Sequence, residues 1–151
     1  KGSDVVVWSA GAGGGSPERT YAVDRDAAIR TIDAAVKAGV ERFVMVSYFG
    51  AGRDHGVSPE NSFFAYAEAK SAADEHLRAS SLDWTVLKPS TLTLDEPTGQ
   101  VDASAAAAGK VSRGNVAQMV AAVVASPGTT ARRWISFNDG TTPGAEGVAR
   151  A

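Results

Sequence analysis

Asp24-Arg-Asp-Ala-Ala-Ile-Arg-Thr-Ile-Asp-Ala-Ala-Val-Lys-Ala38, then Gly39, then Arg42-Phe-Val-Met-Val-Ser47: across this stretch the apolar spacing changes from every third or fourth residue to an unbroken run. The first spacing is that of a helix with one buried stripe, here Ala28, Ile29, Ile32, Ala35 and Val36, and the second is that of a strand covered on both faces. Asp24 or Asp26 stands where a helix N-cap is expected, and Gly39 where a left-handed glycine closes a helix. A helix followed at once by a buried strand is half of a βα repeat.

The rest of the chain continues the repeat in both directions. Upstream, Asp4-Val-Val-Val-Trp8 is another β-branched run, ending at Ser9-Ala10-Gly11-Ala12-Gly13-Gly14-Gly15. Downstream, a polar loop with Gly50, Gly52, His55, Gly56 and Pro59 leads to a helix from about Phe64 to Ala79, whose stripe is Ala65, Ala69, Ala72, Ala73, His76 and Leu77. Leu82 to Leu87 is a third strand, stopped at Pro89 because proline cannot donate to a ladder. Residues 91 to 111 carry no clean pattern. Ser112 then caps a helix bearing Val116, Met119, Val120, Val123 and Val124, closed by Pro127-Gly128, and Arg132 to Phe137 is a last strand before the turn Asn138-Asp139-Gly140. Four strands with helices between them predict an α/β fold with one parallel sheet, because crossovers are right-handed. The carboxyl ends at Ser9, Ser47, Pro89 and Asn138 then share one edge.

Composition bounds what such a fold does. At 151 residues, one domain over 1–151 is expected, and its core is built of small side chains, since 28 of the residues are Ala. A net charge of −2 leaves no footprint for nucleic acid or an anionic membrane. No cysteine is present, which excludes disulfides, thiolate metal sites and a cysteine nucleophile, and suits a reducing cytoplasm. No metal site is read. The longest apolar stretch, Val116 to Ala125, is too short to span a bilayer, and the residues after Lys1 do not read as an export signal.

The glycine run invites the dinucleotide fingerprint and then departs from it. Starting at Gly11, the third glycine position is Ser16, and the following strand ends in Ser47-Tyr48 where an acidic residue is wanted for the ribose. The loop reads as a lining of a crevice at a strand's carboxyl end rather than as a phosphate cradle. Tyr66 and Lys70 carry more chemistry. Four residues apart on a helix, they lie on one face, and an ammonium beside a phenol favours the phenolate needed for proton transfer at a carbonyl or carbinol. Ser47, ending the neighbouring strand, would orient the substrate oxygen.

The order Ser47, Tyr66-x-x-x-Lys70, Ala73-Asp74-x-x-Leu77-Arg78-x-Ser80-x-Leu82-Asp83-Trp84-Thr85-Val86-Leu87-Lys88-Pro89 resembles the atypical short-chain dehydrogenase/reductases of the NAD(P)-binding, NmrA-like type. Val111 to Ala117 resembles the segment before that family's last long helix, with Asn115 where Asp is more usual. The resemblance implies a Rossmann-like sheet and NAD or NADP lying across its carboxyl edge. It implies Lys70 at the nicotinamide ribose, Tyr66 as acid/base and Ser47 as orienting hydroxyl, with Ser9, Ala10, Gly11, Pro89 and Ser90 bordering the cofactor. Asp4 to Gly11 matches the family's fourth strand, so the first three strands and the phosphate loop are expected to be missing here.

Three functions stay open on this reading. The chain is an NAD(P)-dependent oxidoreductase or epimerase-like enzyme acting on a small molecule, a non-catalytic NAD(P)-binding sensor, or a chain that binds no cofactor. Tyr66 is equally an ordinary aromatic at a helix start, and Tyr48 competes with Ser47. His55 reads as a solvated loop residue and His76 as a packed one. The strand Asp4 to Trp8, without its first partner, is expected to pair with upstream sequence or with a second copy in a homo-oligomer.

Overall fold

A computed structural model describes residues 2–151. The first βα unit is β1 (Val5–Trp8), followed by a continuous helical run in three registers: α1 (Pro17–Thr20), a π-helical segment (Tyr21–Ala27) and α2 (Ala28–Ala38). β2 (Arg42–Val46), α3 (Phe64–Ala79) and β3 (Asp83–Pro89) complete the part predicted from spacing. β1, β2 and β3 pair in parallel, and β7 (Arg133–Asp139) pairs in parallel with β3.

The chain departs from the expected plan at the start of the first helix and in the patternless segment. Ser16, not Asp24 or Asp26, is the N-cap: its hydroxyl accepts from the Arg19 N–H. Asp24 lies inside the helical run, buried, because the wider π segment carries it round to the sheet side. Gly39 closes α2 as expected, at φ 71°, its N–H bonded to the Ala35 and Val36 carbonyls.

Residues 91 to 111 hold three short strands: β4 (Thr91–Thr93), β5 (Gln100–Asp102) and β6 (Lys110–Ser112). β4 and β6 pair apart from the main sheet. β5 lies antiparallel to β7, and β8 (Thr142–Pro143) antiparallel to β5. The expected four-stranded sheet is therefore six-stranded, in the order β1-β2-β3-β7-β5-β8, with β1 at one edge. Three-residue strands are too short to show a period of two, which is why spacing did not reveal them.

Helices cover both faces. Phe43, Met45 and Val86 pack with Ile32, Ala35, Ala73 and Leu77 of α2 and α3. Val44, Leu87, Ile135 and Phe137 pack with Met119 and Val123 of α4 (Arg113–Ala125) and Val148 of α6 (Gly144–Arg150). Between them, α5 (Pro127–Thr130) is tied to the amino-terminal end of the sheet by the buried Arg42, whose guanidinium donates to the Thr85 hydroxyl at 2.7 Å and the Thr130 hydroxyl at 2.8 Å. Among the described residues no helix is long and apolar enough to cross a membrane.

Asn115 fastens the irregular segment to this frame. Its side-chain oxygen accepts the Gly99 N–H at 2.8 Å, and its amide donates to Asp139 Oδ1 at 2.6 Å and to the Gln100 carbonyl at 3.2 Å. Asp139 also accepts the N–H of Ser112, the residue that caps α4. An aspartate at 115 would set one carboxylate against another. Asn115→Asp is expected to destabilise the fold by about 2–4 kcal/mol at neutral pH, as loss of a buried hydrogen-bond network does, and Asp139→Asn in the same chain to recover part of that loss. Urea unfolding of the two variants measures it.

Candidate functional site

Parallel strands bring their carboxyl ends together, and the residues that follow β1, β2 and β3 meet at that edge. A cavity of about 550 Å³ opens there, lined from the sheet by Ser9, Ala10, Gly11, Val46 and Ser47 and from α3 by Tyr66 and Lys70. Glycines 13 to 15, all at positive φ, form part of its rim. The π segment closes one side. Asp24 Oδ2 accepts the Ala12 N–H at 3.1 Å, and its other oxygen lies so near Gly11 that a Cβ there would stand 3.0 Å from it. The carboxylate thus holds the start of the glycine loop against the helix, and Gly11 is small because Asp24 occupies the space.

Lys70 is nearly inaccessible to solvent, and its ammonium donates to the Val46 carbonyl at 2.8 Å. Burial pushes its pKa below the ordinary value, against the opposing pull of Asp74 and Asp24. The packing of α3 makes this approach possible: Ala67, Ala69 and Ala73 are fully buried, so the helix comes close to the sheet.

Tyr66 reaches the same cavity. Burial raises its pKa well above the ordinary value, and Asp24, Asp74 and Tyr48 raise it further. In the protein alone, burial thus favours the protonated phenol.

Asp74, one more turn along α3, is a site residue that spacing alone passed over, although its place four residues after Lys70 put it on the same face. It is buried, and its Oδ2 accepts the Ser47 hydroxyl at 2.6 Å, while Oδ1 has no hydrogen-bond partner. Burial lifts its pKa from 3.8 to about 6, despite Lys70, the Ser47 hydrogen bond and Lys88, which pull it down. Tyr48 stands beside this pair. Its hydroxyl is buried without a partner, and its pKa is raised by burial, then by Asp74 and Glu68.

A second cavity, about 520 Å³, shares Ser47, Phe63, Tyr66 and Leu92 with the first and adds Tyr48, Phe49, Pro89 and Ser90. Three rings pack at the junction: the centroids of Tyr48 and Phe63 are 5.1 Å apart, those of Phe63 and Tyr66 5.1 Å, and those of Tyr48 and Tyr66 5.5 Å. The expected site residues therefore divide, with Ser9, Ala10, Gly11 and Lys70 on the first cavity, Pro89 and Ser90 on the second, and Ser47 and Tyr66 on both.

The two histidines differ from expectation. The His55 side chain is 5% exposed, not solvated: Nδ1 accepts the Val57 N–H, which leaves Nε2 to donate to Glu68 at 2.7 Å. His76 is part-exposed and bonds Asp33 of α2 at 2.7 Å, joining two helices.

Comparison with known proteins agrees with this geometry. A family model described as NAD(P)H-binding matches residues 1–127. The Saccharomyces cerevisiae UPF0659 protein YMR090W is 36% identical over 150 residues, covering 95% of this chain and 66% of the yeast protein. The uncharacterized sugar epimerase YhfK of Bacillus subtilis is 35% identical over 152 residues, covering 99% and 70%. Among solved structures, a candidate NAD-dependent epimerase/dehydratase from Bacillus halodurans superposes with a TM-score of 0.89 at 34% identity, over 98% of this chain and 70% of that one. The oxidoreductase ylbE of Lactococcus lactis does so with 0.88 at 27%, over 99% and 68%. The aligned part is thus about two thirds of each relative, and it carries the sheet edge on which both cavities open. This chain belongs to the NAD(P)H-binding family of Rossmann-type proteins, whose cofactor is NAD or NADP.

Proposed function

We propose that the chain serves an NAD(P)H-dependent oxidoreductase or epimerase-like reaction at a carbonyl or carbinol carbon, in the manner of the atypical, NmrA-like short-chain dehydrogenases. The observation that carries this reading is the convergence of Lys70, Tyr66 and Ser47 on one cavity edge at the carboxyl ends of three parallel strands.

The residues present fit the nicotinamide-ribose end of such a cofactor. Lys70 donates to the Val46 carbonyl and, at 3.5 Å, to the Met45 sulfur and lines the cavity, so its one remaining N–H suits a ribose hydroxyl, and Gly11 with Ala10 gives a wall without bulky side chains. Bound there, a nicotinamide supplies or accepts the hydride. Tyr66, whose protonated form burial favours, would donate its proton to a substrate oxygen as charge develops on it in reduction and take it back in oxidation. Ser47 changes role with Asp74. When Asp74 is ionised the Ser47 hydroxyl points to it and offers only lone pairs to substrate, and when Asp74 is protonated the hydroxyl is released to donate.

Titration of the protein with NADH and NADPH by calorimetry, and loss of reduced-cofactor absorbance with a panel of aldehydes and ketones, tests this reading. Lys70→Met is expected to weaken cofactor binding about tenfold or more, and Tyr66→Phe to lower turnover roughly 10²-fold or more while cofactor affinity stays within about threefold. Binding without turnover on any substrate would favour a sensor, and no binding at all would overturn the proposal.

The buried carboxyl also sets a pH dependence. A folded pKa of about 6 against 3.8 means that ionising Asp74 opposes folding: its contribution is intact below about pH 4 and lost as pH rises through about 6, on the order of 3 kcal/mol. Urea unfolding at several pH values between 4 and 7 is expected to show that slope, and Asp74→Asn to flatten it.

The open side of β1, where Val7 is 40% exposed, is proposed to take another strand, from upstream sequence or a second copy. A stable monomer in size-exclusion chromatography that binds NADPH with micromolar affinity would overturn that.

A further inference from the structure

The second cavity differs from the first in what it lacks. Lys70 and Asp24 face the first, whereas among the described residues no charged side chain lines the second. The nearby cations are already engaged. Lys70 is bonded to the Val46 carbonyl, and the Lys88 ammonium donates to the Ala51 carbonyl at 2.6 Å and sits 4.1 Å from the centre of the Trp134 ring. A phosphate or carboxylate placed against these walls would give up part of its hydration with no ionic partner in return, which is unfavourable.

What the cavity does offer is aromatic and apolar surface with a small amount of polar capacity. Tyr48, Phe63 and Tyr66 present ring faces and edges, and Phe63 and Leu92 remain about two-fifths exposed, at 41% and 42%, so the protein itself does not cover them. Ser90 is occupied, donating to Asn138 and accepting the Gly109 N–H. The Tyr48 hydroxyl is itself sealed from solvent, so Thr91, exposed on the cavity wall, and Tyr66 are left to meet one neutral oxygen. At about 520 Å³ the space is that of a small-molecule pocket, and two fused rings fit within it.

We propose that this second cavity is the substrate subsite and that its occupant is a neutral, planar aromatic ketone or aldehyde, not a sugar nucleotide or another anion. The inference rests on the oxidoreductase reading for the word substrate, but its binding claim stands on the cavity alone. Three probes separate the cases: 2-acetylnaphthalene, the carboxylate 2-naphthoate of nearly the same shape, and UDP-glucose, each titrated by calorimetry without cofactor. The ketone is expected to bind at least tenfold more tightly than either anion. Ala108, an exposed residue on the cavity wall, offers a way to fill the space, and Ala108→Trp is expected to weaken ketone binding at least tenfold. Thr91→Trp, exposed on the same cavity, is expected to do likewise, so that a folding defect in one variant does not decide the matter. Equal or tighter binding of 2-naphthoate or UDP-glucose, no ketone binding, or ketone binding untouched in both folded variants would overturn the proposal. Cofactor titration of the unmodified protein is a separate arm: its failure counts against the oxidoreductase reading and leaves the result for the ketone standing.

Discussion

Everything at the candidate site depends on how closely α3 approaches the sheet. Ala67, Ala69 and Ala73 have no accessible surface, so α3 packs closely on its neighbours, with Ala73 against Phe43 and Met45 of the sheet, and the Lys70 ammonium reaches a strand carbonyl at 2.8 Å. Close packing transmits size changes that liquids would absorb. A larger residue at any of these positions would lift Lys70, Tyr66 and Asp74 together, since all three ride on the same rigid element. The alanines give little apolar area in return. Their contribution is distance, and the larger residues Phe43, Met45, Leu77 and Trp84 fill the space beside them.

The same closeness explains the electrostatics. A buried ammonium, two buried carboxylates and two phenols share a region from which water is largely excluded, and Lys70, Asp74, Tyr66 and Tyr48 are each shifted toward the neutral form, chiefly by burial. Asp24 and Asp74 reach the region from different elements, one carried by the π segment and the other by α3. Burial first, and these two carboxylates after it, raise the pKa of the Tyr66 phenol. Spacing in the sequence pairs Tyr66 with Lys70 correctly but says nothing of how many carboxylates the fold adds.

Legibility followed the length and regularity of each element. β1, β2, β3 and the helices of α2 and α3 could be read because buried parallel strands are unbroken Val-rich runs and α2 has a clean stripe with Gly39 behind it. Asp24 was misplaced as a cap because a π segment adds residues per turn that a 3.6-residue period cannot anticipate. The antiparallel β5 and β8 stayed hidden, being two or three residues long and held by the side chain of Asn115 and by turns more than by hydrophobic pattern. At the site, Tyr66, Lys70 and Ser47 were legible as a constellation. Asp74 was not, because a carboxylate on a helix face looks like any solvated charge until the sheet is laid against it. His55 was misread for the related reason that a glycine-rich loop suggests exposure, whereas Phe64 and Glu68 cover its ring.

The two margins of the sheet are unlike, and this gives any assembly a direction. On one side β8 contributes two residues, one of them proline, a blunt margin that offers almost no ladder to a newcomer. On the other, β1 presents a straight, β-branched margin. Strand addition can therefore proceed from β1 alone. If the added strand comes from a second copy, the two β1 strands meet antiparallel about a two-fold axis and the joined sheet ends in two blunt margins, so growth stops at the pair.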